Sequence, residues 1–210
     1  MPHATLFYAH DPMCSWCYGF SPTWKTLQQV LGERFDQEQL RIHYLVGGLA
    51  PDSEQPMPMD MRAKLEATWH RIADDLGVPF NYDFWRLNTP RRSTYNACRA
   101  ALLARDEGKE ILMISAIQQA YYCHARNPSD VDVLRDCAIS IGMEPTDFEH
   151  NLGSAETGRR LIDEIALTRS LGLDSFPSLA VSVAGAIHPV PLDYRNPNSM
   201  LISIERILSV

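Results

Sequence analysis

The stretch from Thr5 to Phe20 constrains the fold more than any other. Thr5-Leu6-Phe7-Tyr8-Ala9 is a short apolar and aromatic run that reads as a strand. His10-Asp11-Pro12 breaks it, and a helical pattern opens at Cys14 and runs to about residue 33. Phe20, Trp24, Leu27, Val30 and Leu31 recur along it near helical spacing. Gly32 comes near the helix end. Gln39–Val46 then reads as a second strand, closed by Gly47-Gly48. Strand, helix and strand in this order imply a parallel pair joined by a right-handed crossover. The helix carries Cys14-Ser15-Trp16-Cys17 at its start. That spacing puts both cysteines on one face of the first turn, within the roughly 4.4–6.8 Å between Cα atoms that a disulfide tolerates.

The placement favours a reactive thiol. First-turn N–H groups are unpaired and carry the positive end of the helix dipole, which stabilises a thiolate at Cys14. The thiolate is the nucleophile of disulfide exchange. Cys17, one turn in and closer to the core, is placed to attack a mixed disulfide at Cys14. Cys14 is therefore read as the attacking residue and Cys17 as the resolving one, with an incidental pair of core cysteines as the competing reading. Zinc would need a tetrahedral ligand set. No second Cys/His pair at ligand spacing exists, and His43, His70, His124, His150 and His188 form no recognisable set, so no metal is expected. Cys98, Cys123 and Cys137 each fall within an expected helix and read as packing.

After a proline-rich linker over 51–60, the chain reads as helical. The expected helices are Met59–Leu76, Arg91–Glu107, Lys109–Ala125, Asp130–Ile141, Pro145–Leu152 and Ala155–Leu171. Strands return at Ser178–Val183 and Ala186–Pro191, separated by Ala184-Gly185. Pro189 and Pro191 make the last strand an edge. Asn196-Pro197-Asn198-Ser199 opens a final helix with Leu201, Ile204, Ile207 and Leu208 on one face. The order is β-α-β, helical block, β-β-α. The domain reading is 1–50 plus 172–210 for the strand-containing part, with 51–171 inserted.

A chain of 210 residues with 45% hydrophobic content can bury roughly 70% of its unfolded surface. Net charge is −7 and no lysine/arginine cluster exceeds Arg91-Arg92 or Arg159-Arg160, so nucleic acid is not an expected partner. No apolar run approaches the ~18 residues of a membrane span. Met1-Pro2-His3-Ala4-Thr5 shows no basic region or apolar leader, so the expected compartment is cytoplasmic. Disulfides there are usually transient and catalytic.

Three features together carry a family resemblance. Asp11-Pro12-Met13-Cys14-Ser15-Trp16-Cys17-Tyr18-Gly19-Phe20 is similar to the motif of the cytosolic, FrnE-like branch of the DsbA family. Pro22 lies inside the same helix, where thioredoxin-fold oxidoreductases carry a kinking proline. Ser175-Phe176-Pro177-Ser178-Leu179-Ala180-Val181 resembles their cis-proline segment. The resemblance implies an α/β thioredoxin fold with a large all-helical, DsbA-like insertion. It also implies a thiol–disulfide oxidoreductase or isomerase whose only redox group is the Cys14–Cys17 disulfide, with glutathione as co-substrate. Partners would be protein or peptide disulfides and a thiol reductant such as glutathione or thioredoxin. The Phe176-Pro177 loop would pack against the cysteine pair and offer a backbone edge to an extended substrate.

Asp11 reads either as a cap or turn former or as a proton relay to Cys17, and an anionic Asp11 would raise the thiol pKa. Ser15 and Trp16 would tune the potential. Trp16 stands where strongly oxidising members place a histidine, which favours reductase or isomerase chemistry. Trp16, Tyr18 and Phe20 read either as core aromatics or as an apolar platform for clients. Pro191-Leu192-Asp193-Tyr194 replaces a glycine usual in such folds. The alternatives are a glutathione-dependent transferase or isomerase of the kappa-class or hydroxychromene carboxylate isomerase type, and a non-catalytic client-binding module. The first of these carries serine in place of the nucleophilic cysteine.

Overall fold

The computed structural model describes residues 4–209; Met1-Pro2-His3 of the N-terminal reading lie outside the described residues. Strands β1 (Ala4–His10), β2 (Leu40–Val46), β3 (Ser178–Val183) and β4 (Ala186–Val190) form a sheet in the order β2-β1-β3-β4. β1 and β2 are parallel, with Ala4 opposite Leu40 and His10 opposite Val46, as a crossover through helix α1 (Ser15–Arg34) requires. β3 runs antiparallel on the other side of β1. It turns into β4 through Ala184 and Gly185, whose φ angles of 51° and 82° give the two-residue turn that matches strand twist. Pro189 sits in β4 at the sheet edge, where its missing N–H costs no ladder bond. Helix α9 (Pro197–Leu208) packs beside α1, and Phe20, Trp24, Leu27 and Leu31 share a core with Met200, Leu201 and Ile204. This is the thioredoxin-type fold that the resemblance implied.

Between β2 and β3 lie α2 (Met59–Leu76), α3 (Phe84–Leu87), α4 (Tyr95–Asp106), α5 (Glu110–Gln118), α6 (Val131–Ser140), α7 (Pro145–Leu152) and α8 (Ala155–Ser170). The expected helix Arg91–Glu107 starts later, at Tyr95. Arg91 is held in a bridge to Pro56, and Thr94 N–H donates to the Ala50 carbonyl at 3.0 Å. The expected helix Lys109–Ala125 is not uniform: α5 passes into a widened π turn over Gln119–Cys123. That turn carries three consecutive buried residues, Ala120, Tyr121 and Tyr122. α3 was not foreseen, because four residues carry no readable period. It delivers Phe84 and Trp85 to Trp69, whose ring centroid lies 5.5 and 4.8 Å from theirs. Tyr121 and Tyr122 meet the same ring edge-on at 5.2 and 5.1 Å. Each such pair adds about 0.5–1.5 kcal/mol beyond its buried area.

Two cores meet at α4. Ala97, Ala100 and Leu103 belong to the helical core, while Cys98, Ala101 and Leu102 pack with the sheet residues Leu6, Tyr8 and Val181. An ion network reinforces the junction. Arg105 contacts Glu110 at 2.6 Å and Glu164 at 2.5 Å, and also donates to the Tyr44 carbonyl at 3.1 Å. Glu164 in turn accepts from Val46 N–H at 2.8 Å, so α8 covers an otherwise open strand edge. Among the described residues, no helix is long and apolar enough to cross a membrane.

Candidate active site

β1 ends at His10, and a turn over Asp11-Pro12-Met13 delivers the chain to α1. The turn closes by a 3.0 Å bond from Cys14 N–H to the Asp11 carbonyl. Cys14 is the N-cap residue in extended conformation, so the helix begins at Ser15 rather than at the first cysteine. The sulfurs are free thiols, and Cys14 and Cys17 approach to 3.5 Å. Cys14 is 7% exposed and Cys17 only 1%. Burial drives the Cys17 thiol well above its ordinary value; contact with Cys14 adds to the rise, and a bond from the Asp11 amide partly opposes it. The Cys14 Sγ–H donates to the Phe176 carbonyl at 3.4 Å. The Phe176–Pro177 peptide is cis.

Asp11 is fully buried and does not cap α1. Its Oδ1 accepts from Met13 N–H at 2.9 Å. Its Oδ2 accepts from Leu49 N–H and the Thr94 hydroxyl, both at 2.7 Å, and from the Cys98 thiol at 3.5 Å. One carboxylate thus ties the cysteine turn to the exit from β2 and the start of α4. Burial raises its pKa, and the four donors pull it part of the way back. Tyr122, from the π turn, donates its hydroxyl to the Met13 carbonyl at 2.7 Å and anchors the same turn from the helical side.

Ser15 and Trp16 are half-buried at the mouth of the site. Trp16 meets Tyr194 edge-on at 5.3 Å, so the segment that replaced the usual glycine becomes a wall behind the motif. Tyr18 and Phe20 are buried, at 6% and 0% exposure, which leaves Trp16 alone as a platform residue. Cys98 and Cys137 are buried as packing residues, while Cys123 is half-buried and lies 3.4 Å from the Tyr18 hydroxyl. Beside Cys14 opens a cavity of about 320 Å³, walled by Trp16, Met57, Leu65, Tyr121 and Phe176, with Arg71, Arg91 and Arg92 also lining it.

Several residues that shape the site were not singled out from the sequence. The Gly47-Gly48 pair reads only as a strand terminator, yet a Cβ at Gly47 would fall 2.1 Å from the Phe176 ring. The absent side chain leaves room for the tip of the Phe176 ring, the residue whose carbonyl meets Cys14. Gly47→Ala is therefore expected to cost about 1–3 kcal/mol of stability by overpacking. It should also change the alkylation rate of Cys14 as the Phe176 carbonyl shifts. An unchanged denaturation midpoint and alkylation rate would show that Phe176 has room to move aside. Thr94 and Tyr122 carry no sequence signal at all, since their partners lie far away along the chain.

His10, directly before Asp11, is 1% exposed, and among the described residues neither ring nitrogen has a hydrogen-bond partner. It stacks on Tyr8 at 5.4 Å and meets Tyr44 edge-on at 5.6 Å. Burial, helped by the Arg105 charge, lowers its pKa from 6.5 to about 3. The unfolded chain then takes up a proton below pH 6.5 while the folded chain does not, so stability falls as pH drops from 6.5 towards 3. This group alone accounts for on the order of 4 kcal/mol across that window. Asp11, raised by burial, works in the opposite sense, so the difference between wild type and His10→Phe isolates the histidine. His10→Phe is expected to flatten the acid limb of stability against pH, measured by denaturant titration. Parallel curves for the two proteins would mean that His10 is solvated.

The DSBA-like thioredoxin domain family matches residues 6–187. The structure superposes on a Nitrosomonas europaea protein with a TM-score of 0.83 over 98% of each chain, at 24% identity, which is a likeness of fold. The cytosolic disulfide reductase DsbM from Pseudomonas aeruginosa superposes at 0.77 with 27% identity, covering 98% of each chain. The same reductase solved with GSH gives 0.76 at 26% identity, over 98% of this chain and 100% of that one. Among curated proteins, the ClpXP adapter protein SpxH of Halalkalibacterium halodurans is 25% identical over 174 residues. The match covers 80% of this chain and 55% of that one, so the chain spans about half the length of this relative.

Proposed function

The chain belongs to the DSBA-like thioredoxin domain family, and on that premise we propose that it is a cytoplasmic thiol–disulfide oxidoreductase working through Cys14 and Cys17. The observation that carries this reading is the pair itself. Two free thiols lie within 3.5 Å at the start of α1, the outer one facing a cavity and the inner one buried behind it. In the reducing direction, the Cys14 thiolate attacks one sulfur of a client disulfide. A Cys14–client disulfide forms, and the other client sulfur leaves as a thiolate. Cys17, as thiolate, then attacks Cys14 Sγ, forming the Cys14–Cys17 disulfide and releasing the second client thiol. Two electrons pass from the pair to the client. Two molecules of a thiol such as glutathione restore the dithiol and leave as their own disulfide, so no further cofactor is required.

The half-cycles ask different things of the two sulfurs. Cys14 stands at the N-cap position of α1 and lines the cavity, where a substrate sulfur can reach it. Cys17 is held protonated by burial and must lose its proton to resolve the intermediate. Asp11, buried within electrostatic reach of Cys17, is the group proposed to influence that step. The Phe176 carbonyl orients Cys14 Sγ, while Ser15 and Trp16 face the incoming substrate. The resemblance to DsbM, which has been solved with GSH, supports glutathione as the small-thiol partner. Retention of cysteine at both motif positions speaks against the transferase alternative. The test is insulin reduction with glutathione as the electron source. The reading expects multiple turnovers per protein molecule, and a rate equal to that of glutathione alone would refute it.

A further inference from the structure

The cavity beside Cys14 is lined by three arginines, Arg71, Arg91 and Arg92, and by no aspartate or glutamate. This inverts the character of a chain whose net charge is −7. Arg91 is compensated, through a close pair with Asp130 and Glu54 at 3.9 Å. Arg71 and Arg92 are not: among the described residues, neither guanidinium donates to a protein acceptor or stands within 4.0 Å of a carboxylate. Arg71 lies over the Trp16 ring, 5.1 Å from its centroid, so its charge is held above the dipeptide between the cysteines. Arg92 is fixed in sequence next to Ser93-Thr94, the segment that Asp11 ties to the cysteine turn. Two forked donors without protein partners among the described residues, both lining a reactive-thiol cavity, match planar carboxylates on a substrate.

We infer that Arg71 and Arg92 select small thiols or disulfides whose carboxylates lie close to the reacting sulfur, with a carboxylate-bearing tripeptide thiol as the fitting size. The inference rests on the proposed redox role of Cys14 and adds the property by which the site chooses its small-thiol partner. A cavity of about 320 Å³ lies at the small end of ligand pockets, in the range of roughly 300–1,000 Å³. That volume suits a tripeptide thiol better than a segment of a folded client. The uncompensated charge also raises the local concentration of an anion before contact, an effect that salt screens.

The experiment follows reduction of the Cys14–Cys17 disulfide by Trp fluorescence, using glutathione and glutathione dimethyl ester as the two reductants. The quantity read is the ratio of the two rate constants within each protein, which cancels general effects of a substitution on the pair. The double variant Arg71→Gln/Arg92→Gln is expected to lower the ratio about tenfold, and Arg92→Lys, which keeps the charge, to lower it less than Arg92→Gln. Salt at about 1 M, where the Debye length is roughly 3 Å, should lower the ratio in wild type and leave the double variant unmoved. Equal ratios in wild type and double variant would overturn the inference and leave the oxidoreductase reading intact. A wild-type disulfide that neither reductant opens would overturn both.

Discussion

Cys14→Ser is expected to reduce disulfide turnover to no more than about a thousandth of wild type, because it removes the attacking sulfur outright. Cys17→Ser should behave differently. Cys14 is the more exposed of the two and faces the cavity, so the first attack survives, but the mixed disulfide has no neighbouring thiol to resolve it. That variant should accumulate a covalent adduct with insulin chains or glutathione, visible by intact mass and released by dithiothreitol. The asymmetry is the informative part. If Cys14→Ser formed the adduct and Cys17→Ser did not, the order of attack would be reversed. Turnover retained in both variants would place the chemistry elsewhere, with Cys123 the most exposed remaining thiol.

Arg105→Leu is expected to cost about 3 kcal/mol of folding stability, the largest loss foreseen for a residue outside the site. Arg105 sits between Glu110 and Glu164 and joins α4 to α5 and α8. The side chains are 26%, 12% and 13% exposed, so solvent screens them little. Burial alone pulls the guanidinium down, but the hydrogen bonds and charges of Glu164 and Glu110 outweigh it and hold it above the usual arginine range. Removing the arginine leaves two carboxylates facing each other in a poorly hydrated junction. Glu110 already shows the strain, since burial lifts it above the ordinary carboxylate range even with Arg105 present. Glu164→Gln in the Arg105→Leu background should restore part of the loss, because it removes one of the stranded charges. A loss under about 1 kcal/mol would mean that the network behaves as a solvated surface pair.

What was legible in the sequence was whatever is encoded locally. Alternation and breakers placed β1, β2, β3 and β4, and the Met59–Leu76 and Pro145–Leu152 helices fall where their period put them. Cys14 and Cys17 stood out because their meaning lies in spacing and in the strand–turn–helix around them. The unread parts depend on contacts distant in sequence. Asp11 reads as a cap or turn former or as a proton relay. It does form the turn, through Met13 N–H, but its further partners Leu49, Thr94 and Cys98 lie well down the chain and make it a buried anchor as well. Tyr122 has the same kind of role through Met13. Gly47 acts by lacking a side chain under Phe176, and no pattern within β2 announces that need. The π turn at Gln119–Cys123 escaped notice because no helix-breaking residue marks it.

The central claim is that Cys14 and Cys17 form a working redox couple. A redox equilibrium titration against glutathione, followed by Trp fluorescence from the ring between them, addresses it most directly. The account predicts one reversible two-electron transition, lost in both Cys14→Ser and Cys17→Ser. A midpoint near about −270 mV would mark a reductase, and one near about −180 mV or above an isomerase or oxidase. The absence of any transition, with both thiols remaining unpaired across the glutathione range, would contradict the account.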